Sequence, residues 1–269
     1  MEKRIYFCRC LAIALTLLLT IIGGNAQNLD ENFKPFSGQA GKDVVWVPTP
    51  QALVDTMLDL ANVTSSDYVI DLGSGDGRLV ITAAKRGATA LGIEYNPDMV
   101  EYARRAASNE GVSTKATFEN ADIFESDFSK ATVITLFLMS DLNLRLRPTI
   151  LDMKPGTRIV SNTFNMNDWE PDHTSRIEEE SNWRTAHLWI VPAKIDGVWK
   201  MEGGQAIITQ TFQYFSGTFT RGNADTKFTG KIKGNEISFY VEGTEFTGTL
   251  SGNTISGTLD GGGSWSATR

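Results

Sequence analysis

The chain has 269 residues, of which 41% are hydrophobic and 21% are charged. This composition suits one large or two ordinary globular domains and excludes wholesale disorder. The formal net charge of −7 argues against sequence-independent binding to nucleic acid, which depends on Lys and Arg neutralising phosphates. The two cysteines, Cys8 and Cys10, lie near the N-terminus, and His173 and His187 are interpreted as a surface and a strand histidine, so no metal centre is expected.

The first 26 residues predict a secretory signal peptide. A basic start precedes the apolar run LAIALTLLLTII, and Gly24 and Ala26 are the small residues before a cleavage site at Gln27. The run is shorter than the about 20 residues that cross a bilayer, so we expect an exported protein, periplasmic or secreted. An uncleaved membrane anchor over residues 5–22 is the alternative. Residues 27–45 are polar and are expected to form a linker or a loosely docked arm.

Residues 46–193 alternate short apolar strands with amphipathic helices. Such alternation, with strands apolar on both faces, predicts an α/β domain with a mainly parallel sheet. The predicted helices cover 50–61, 78–87, 97–111 and about 141–152. The predicted strands are YVIDL (68–72), ALGIEY (90–95), KATFEN, ATVITLFL and TRIVSN, and the segments around 173–180 and 184–191 could close the sheet as a hairpin.

Residues 196–269 are rich in Gly, Thr, Ser and Phe and contain a repeat. FTGKIKGNEIS (228–238) returns 18 residues later as FTGTLSGNTIS (246–256), and each copy is typical of two strands joined by a Gly-Asn turn. The sequence therefore predicts a small all-β domain, either a sandwich or an open barrel. Five phenylalanines are expected in its core, with an exposed row that binds glycan or protein as the alternative: Phe215, Phe219, Phe228, Phe239 and Phe246.

The stretch DLGSGDG joins the first predicted strand of the α/β domain to its helix. Its glycines let the backbone turn sharply and approach a ligand, but the acid before them would repel the pyrophosphate that the dinucleotide motif binds. An acid there suits a ligand with an amino group and a sulfonium. Two further acids follow the next strands, one placed for ribose hydroxyls and one for the adenine edge. The predicted cofactor-binding residues of these three strand ends are Asp71, Gly73, Ser74, Gly75, Gly77, Glu94 and Asp122.

These features resemble the class I S-adenosylmethionine-dependent methyltransferases. The stretches WVPTPQALVDTML, DLGSGDGR, GIEYNP, ATVITLFL, LRLRPTILDMKPGTRIVSNTF and NDWEP resemble the subgroup with the mitochondrial lysine methyltransferases of the ATP synthase c-subunit and the adenine nucleotide translocase, and its bacterial relatives. The resemblance covers about 44–192. It implies a Rossmann-like seven-stranded domain with S-adenosylmethionine over the strand ends, and transfer to a protein lysine. Trp46, Pro48 and Thr49 could then form a lid over the cofactor, and Thr49 is a further predicted cofactor-binding residue. Packing of Trp46 against the sheet edge is the alternative.

The methyl-acceptor pocket is expected at the ends of the fourth and fifth strands. The candidate residues are Asp141, Asn162 and Phe164, and Trp169 could close over them. Ser140-Asp141 could instead form a helix N-cap. Related sequences tend to have Ser-His where this chain has Ser161-Asn162, which weakens the assignment of lysine. A small-molecule methyltransferase, or a non-catalytic protein that binds a nucleoside-like ligand and has an envelope-associated β module, is the alternative.

Overall fold

The computed structural model describes residues 33–178 and 181–269. The predicted signal peptide lies outside these residues. No helix in the described ranges is long and apolar enough to span a membrane. The described residues form an α/β region with a mixed seven-stranded sheet, followed by a β-barrel.

The α/β region has a seven-stranded sheet in the order β3-β2-β1-β4-β5-β7-β6. The first five strands are parallel, and β7 and β6 add the antiparallel hairpin at one edge. The elements are α1 (Gln51–Leu60), β1 (Tyr68–Leu72), α2 (Arg78–Lys85), β2 (Thr89–Glu94), α3 (Pro97–Asn109), β3 (Ala116–Asn120), β4 (Val133–Leu136), α4 (Ser140–Leu151), β5 (Arg158–Asn162), β6 (His173–Arg176) and β7 (Thr185–Ile190). The predicted seven-stranded fold is confirmed.

Helices cover both faces of this sheet. The apolar sides of α1, α2 and α3 pack with Val69, Val133 and Val160 on one face. On the other face, α4 packs with Ile134, Ile159 and two fully buried tryptophans. Strands buried on both sides explain why the sequence shows continuous apolar runs rather than alternation.

The second region is an eight-stranded antiparallel barrel. It consists of β8 (Gly197–Met201), β9 (Gly204–Thr211), β10 (Tyr214–Arg221), β11 (Ala224–Lys233), β12 (Glu236–Val241), β13 (Thr244–Ser251), β14 (Thr254–Leu259) and β15 (Ser264–Thr268). Pairing of β15 with β8 closes the barrel. The all-β prediction is confirmed, but the barrel is closed rather than open, because its first and last strands meet through the pairs Ala267–Met201 and Thr268–Lys200.

The internal repeat builds the middle of the barrel. Its two Gly-Asn pairs form the two-residue turns between β11 and β12 and between β13 and β14, where Gly234 and Gly252 adopt positive φ of 59° and 58°. The phenylalanines face the interior as expected: Phe215, Phe228 and Phe239 are buried, and Phe219 and Phe246 pack against them half-buried. These five side chains are used for packing.

Candidate active site

A cavity of about 360 Å³ opens at the carboxyl ends of the parallel strands. It lies beside β1, which is flanked by β2 and β4, and the helices that follow β1 and β4 pack on opposite faces of the sheet. Open α/β sheets bind ligands at this kind of switch point. Its volume is within the range of about 300–1,000 Å³ that is usual for small-molecule sites.

Asp71, at the end of β1, carries the deepest charge in the cavity wall. Its side chain is 6% exposed, and its Oδ1 accepts a hydrogen bond of 2.7 Å from Thr135 Oγ1 on the neighbouring strand. Burial raises the pKa of Asp71 to about 7; the Thr135 hydrogen bond opposes this rise, and the nearby charges of Glu94 and Asp76 add to it. A positively charged ligand group beside Asp71 would favour its ionised form.

The glycines of the turn after β1 divide into two groups. Gly73 lines the cavity, whereas Gly75 and Gly77 do not. A Cβ on Gly75 would lie 2.3 Å from Trp46 Nε1, and one on Gly77 would lie 2.7 Å from the Phe118 ring. Gly77 also has φ of 80° as the N-cap of α2. These two glycines, predicted to bind cofactor, therefore serve tight packing and the start of the helix.

Ser74 in the same turn lines the cavity. Its Oγ is buried beside Gly92 on β2, where a Cβ on that glycine would lie 2.5 Å from it, and it has no hydrogen-bond partner among the described residues. The missing side chain at Gly92 therefore makes room for the Ser74 hydroxyl.

Glu94, at the end of β2, is held by backbone donors. Gly75 N–H donates to Oε2 and Asn96 N–H donates to Oε1, each over 2.9 Å. These bonds orient the carboxylate, which lines the cavity. Each oxygen retains further acceptor capacity, which suits a pair of vicinal hydroxyls.

Asp122, after β3, also lines the cavity and is paired with Lys42. The hydrogen bond from Lys42 is the main cause that lowers the pKa of Asp122, and a hydrogen bond from Phe124 N–H adds to it. The Lys42 ammonium also lies 4.7 Å from the centre of the Tyr95 ring. Lys42 therefore lies over the position where the sequence places the adenine.

The segment that supplies Lys42 is docked over the cavity. Residues 39–49 line it, including Trp46, Pro48 and Thr49. The buried Gln39 donates to Met99 Sδ over 3.2 Å, and Thr49 O accepts a hydrogen bond of 2.7 Å from Arg78. This segment therefore forms part of the cavity wall and is held there by contacts with α2 and α3.

The far end of the cavity is aromatic. β4 ends at Leu136, so Phe137 leaves the sheet and meets Phe164 and Trp183 at the cavity wall. The ring centres are 6.1 Å apart for Phe137–Phe164, 5.3 Å for Phe137–Trp183 and 5.8 Å for Phe164–Trp183. We call these three side chains the aromatic wall.

Several predicted acceptor residues lie elsewhere. Asp141 is exposed in the first turn of α4, does not line the cavity and is not the N-cap, which is Met139. Asn162 is fully buried behind the wall, where its Nδ2 donates to Thr49 Oγ1 over 3.2 Å. Trp169 does not close the pocket as predicted, because it is fully buried in the core beside Trp189. His173 and His187 do not line the cavity either.

Trp183 is one of several site residues that the sequence did not reveal; Phe137, Tyr95 and Lys42 are others. Trp183 precedes β7, next to the end of β5. The available signal was an aromatic residue within the predicted antiparallel hairpin. Recognising its role requires the order β5-β7-β6, which puts the hairpin turn beside Phe164.

The polar atoms of the cavity fit S-adenosylmethionine. The buried acid Asp71 offers an anion to a cationic group, and the oriented Glu94 suits ribose hydroxyls. Asp122 and the Tyr95 ring offer an acceptor and a flat face for the adenine. When bound, this cofactor supplies a methyl group on a positively charged sulfur.

Comparison with known proteins agrees with this fit. The model of the ANTKMT methyltransferase domain matches residues 71–173. A protein-lysine N-methyltransferase of Saccharolobus islandicus is 38% identical over 151 residues, which cover 55% of this chain and 94% of the relative. The human lysine N-methyltransferase of the ATP synthase c-subunit is 31% identical over 170 residues, covering 62% of this chain and 72% of the human one.

A solved structure extends the comparison to the bound state. The crystal structure is that of an RNA methyltransferase from Salinibacter ruber in complex with S-adenosyl-L-homocysteine, whose sequence is 45% identical to this chain. The matched region covers 55% of this chain and 96% of the Salinibacter protein, with a TM-score of 0.53. S-adenosyl-L-homocysteine is the product left when S-adenosylmethionine gives up its methyl group. The chain therefore belongs to the ANTKMT methyltransferase domain family and is an enzyme whose methyl donor is S-adenosylmethionine.

Proposed function

We propose that this enzyme transfers the methyl group to the side-chain amine of a lysine in a protein substrate. The observation that carries the proposal is the aromatic wall of Phe137, Phe164 and Trp183 at one end of the cofactor cavity. The names of the relatives from Saccharolobus islandicus and human point to the same acceptor.

Aromatic rings suit both the substrate and the product of lysine methylation. Ammonium and methylammonium groups are attracted to the negative faces of aromatic rings, and the attraction is strongest where water is excluded. With ring centres 5.3–6.1 Å apart, the three side chains form a continuous surface. A narrow lysine side chain could extend along this surface to the methyl donor.

The apolar surrounding of the amine opposes this attraction and favours the neutral, reactive form. A lysine ammonium has an ordinary pKa near 10.4 and must lose a proton before it attacks the methyl group. The residues that follow Phe137 also bring apolar side chains to the cavity wall, namely Leu138, Met139 and Leu142. An apolar surrounding disfavours the charged form and lowers the pKa of the amine. The remaining contribution is alignment of the amine with the methyl–sulfur bond.

Asn162 stands where related sequences tend to have a histidine, and this difference has a limited effect on the proposal. Asn162 is bonded to Thr49 behind the cavity wall rather than lining the cavity. In this chain the position therefore supports the segment that covers the cofactor. Proton loss from the amine then depends on the apolar surrounding and on solvent.

RNA is the competing acceptor class, because one relative is described as an RNA methyltransferase. The net charge of −7 disfavours it, since RNA binding needs cationic side chains that neutralise phosphates. A small-molecule acceptor and a binding-only role also compete with the protein acceptor. These four hypotheses predict different labelled products in a single experiment.

The test is incubation of the protein with labelled S-adenosylmethionine and cell extract, followed by separation of protein, RNA and small molecules. We expect label in protein, and methyl-lysine after acid hydrolysis. Phe164→Ala should lower this incorporation, whereas Tyr240→Ala, an exposed aromatic on the barrel, should not. Label in RNA or in small molecules, or no label in any fraction, would refute the proposal.

We further propose that the protein acts after export, on the basis of the three-part layout of residues 1–26. Fractionation of a C-terminally tagged full-length chain tests this. The expected result is a shortened chain in the periplasm or the medium. A full-length chain in the membrane would support the anchor at residues 5–22, and one in the cytosol would exclude both.

A further inference from the structure

The turn between β9 and β10 of the barrel enters the α/β region. The Phe212 ring stacks on the buried Trp169 with ring centres 5.8 Å apart, and the Arg147 guanidinium lies 5.3 Å from the Phe212 ring centre. Next to it, Gln213 is fully buried, and its Nε2 donates to Glu170 O over 2.7 Å. The turn therefore contacts both the core and the backbone of the α/β region.

The backbone that receives these contacts is residues 163–172, which we call the wall segment because it begins beside Phe164. Side chains from three other elements donate to its carbonyl oxygens. Asn143 Nδ2 on α4 lies 3.3 Å from Phe164 O, and Arg147 Nη1 donates to Met166 O over 2.9 Å. Trp189 Nε1 on β7 donates to Trp169 O over 2.7 Å. Gln213 completes the series from the barrel side.

The wall segment begins with a strained turn. Thr163 has φ of 61°, and Phe164 N–H donates to Asn162 O over 2.6 Å. A hydrogen bond between residues two apart around a positive φ is a rare and strained form of γ-turn, and a β-branched residue at positive φ is a conformational outlier. Such a conformation persists only when the surrounding structure imposes it. Here it turns the chain at the end of β5 and places Phe164 at the cavity.

We propose that the β9–β10 turn is a positioning element of the methyl-acceptor site. Phe212 and Gln213 hold the wall segment at its distal half, and this support maintains the Thr163 turn and the placement of Phe164. The barrel thus takes part in catalysis although none of its described residues lines the cavity. The inference relies on the proposed function only in taking the aromatic wall as the acceptor side.

The test compares full-length variants by hydrogen exchange, by calorimetry with S-adenosylmethionine and by methyl transfer to poly-L-lysine. Phe212→Ala should raise amide exchange in 163–172 at least tenfold, leave exchange in 68–77 unchanged and keep cofactor affinity within twofold. It should also lower kcat/KM for poly-L-lysine at least tenfold. Phe212→Tyr, which retains the stacked ring, should restore all these values to within threefold of wild type.

Glu242→Ala is the matched control. Glu242 is exposed in the two-residue turn between β12 and β13 and has φ of 49°, close to the 51° of Phe212. It should behave as wild type. Gln213→Met removes only the hydrogen bond to Glu170 O and provides a milder variant should Phe212→Ala fail to fold; it should raise exchange in the wall segment several-fold.

Two outcomes would overturn the inference. One is unchanged exchange in 163–172 in both Phe212→Ala and Gln213→Met. The other is a parallel change in 68–77 and in cofactor affinity, which would mean general destabilisation. If wild type transfers no methyl group to poly-L-lysine, that result counts against the lysine acceptor, while exchange and cofactor affinity still decide the role of the turn.

Discussion

Replacing Asp71 by Asn tests the charge at the centre of the site. The substitution keeps the shape of the side chain and an oxygen that accepts from Thr135, but it removes the buried negative charge. Burial raises the pKa of Asp71 from 3.8 to about 7. The folded protein therefore holds a proton between about pH 4 and pH 7 that the unfolded chain has released.

The sign and size of two effects follow from this shift. Without cofactor, the stability of the wild type should fall as the pH rises through this window, by on the order of 4 kcal/mol. Asp71→Asn should lose that dependence and be the more stable protein at pH 7.5. Cofactor binding should show the opposite trend, because the positive charges of S-adenosylmethionine favour ionised Asp71. Its affinity for wild type should rise about tenfold per pH unit below pH 7.

Urea denaturation and calorimetry with S-adenosylmethionine between pH 5 and pH 7.5 measure both effects. Asp71→Asn should bind weakly and with a flat pH profile. Asp141→Asn is the control, since Asp141 is an exposed acid outside the cavity and should retain the wild-type profile. The same pH dependence of binding in wild type and Asp71→Asn, or equally tight binding by the two proteins, would show that ionised Asp71 does not hold the cofactor.

Three further predictions concern single side chains. Gly77→Ala places a Cβ 2.7 Å from the Phe118 ring at a residue with φ of 80°. Thermal denaturation should therefore show that the free energy of unfolding falls by at least about 2 kcal/mol, and an unchanged Tm would contradict the packing role of Gly77. Lys42→Met removes the partner that occupies Asp122, so calorimetry should show cofactor binding up to about fivefold tighter and less salt-dependent; weaker binding would mean that Lys42 helps to hold the cofactor. Trp183→Ala should lower kcat/KM for poly-L-lysine by about tenfold and leave cofactor affinity unchanged. Equal losses of kcat/KM and of cofactor affinity would show that Trp183 does not act on the acceptor.

The sequence predicts the α/β fold well because its signals are local. Apolar runs and helical spacing identify β1, β2, α2 and α3. Pro97 marks the first turn of α3, and the structure adds the Asn96 side chain as a cap that accepts from Asp98 N–H. The three strand-end acids follow from the same pattern, since parallel strands bring their carboxyl ends to one edge of the sheet. Asp71, Glu94 and Asp122 indeed line one cavity.

The residues of the acceptor side are harder to predict from the sequence, because their positions depend on backbone turns and on pairing between distant strands. Nothing in Ser161-Asn162-Thr163 predicts the positive φ that follows β5, and this turn puts Phe164 at the cavity but Asn162 behind it. Closure of the barrel has the same origin, because it depends on two pairs between strands more than 60 residues apart. The contact of Phe212 with Trp169 likewise joins two regions that look independent in the sequence.

In the proposed reaction, one cavity brings the methyl group of S-adenosylmethionine to the aromatic wall. The most direct measurement is NMR of the protein bound to S-adenosylmethionine with a ¹³C-labelled methyl group. We expect nuclear Overhauser contacts from that methyl group to ring protons of Phe137, Phe164 or Trp183, lost for the ring that is replaced by alanine. A bound methyl group without contact to any of the three rings would place the acceptor site elsewhere.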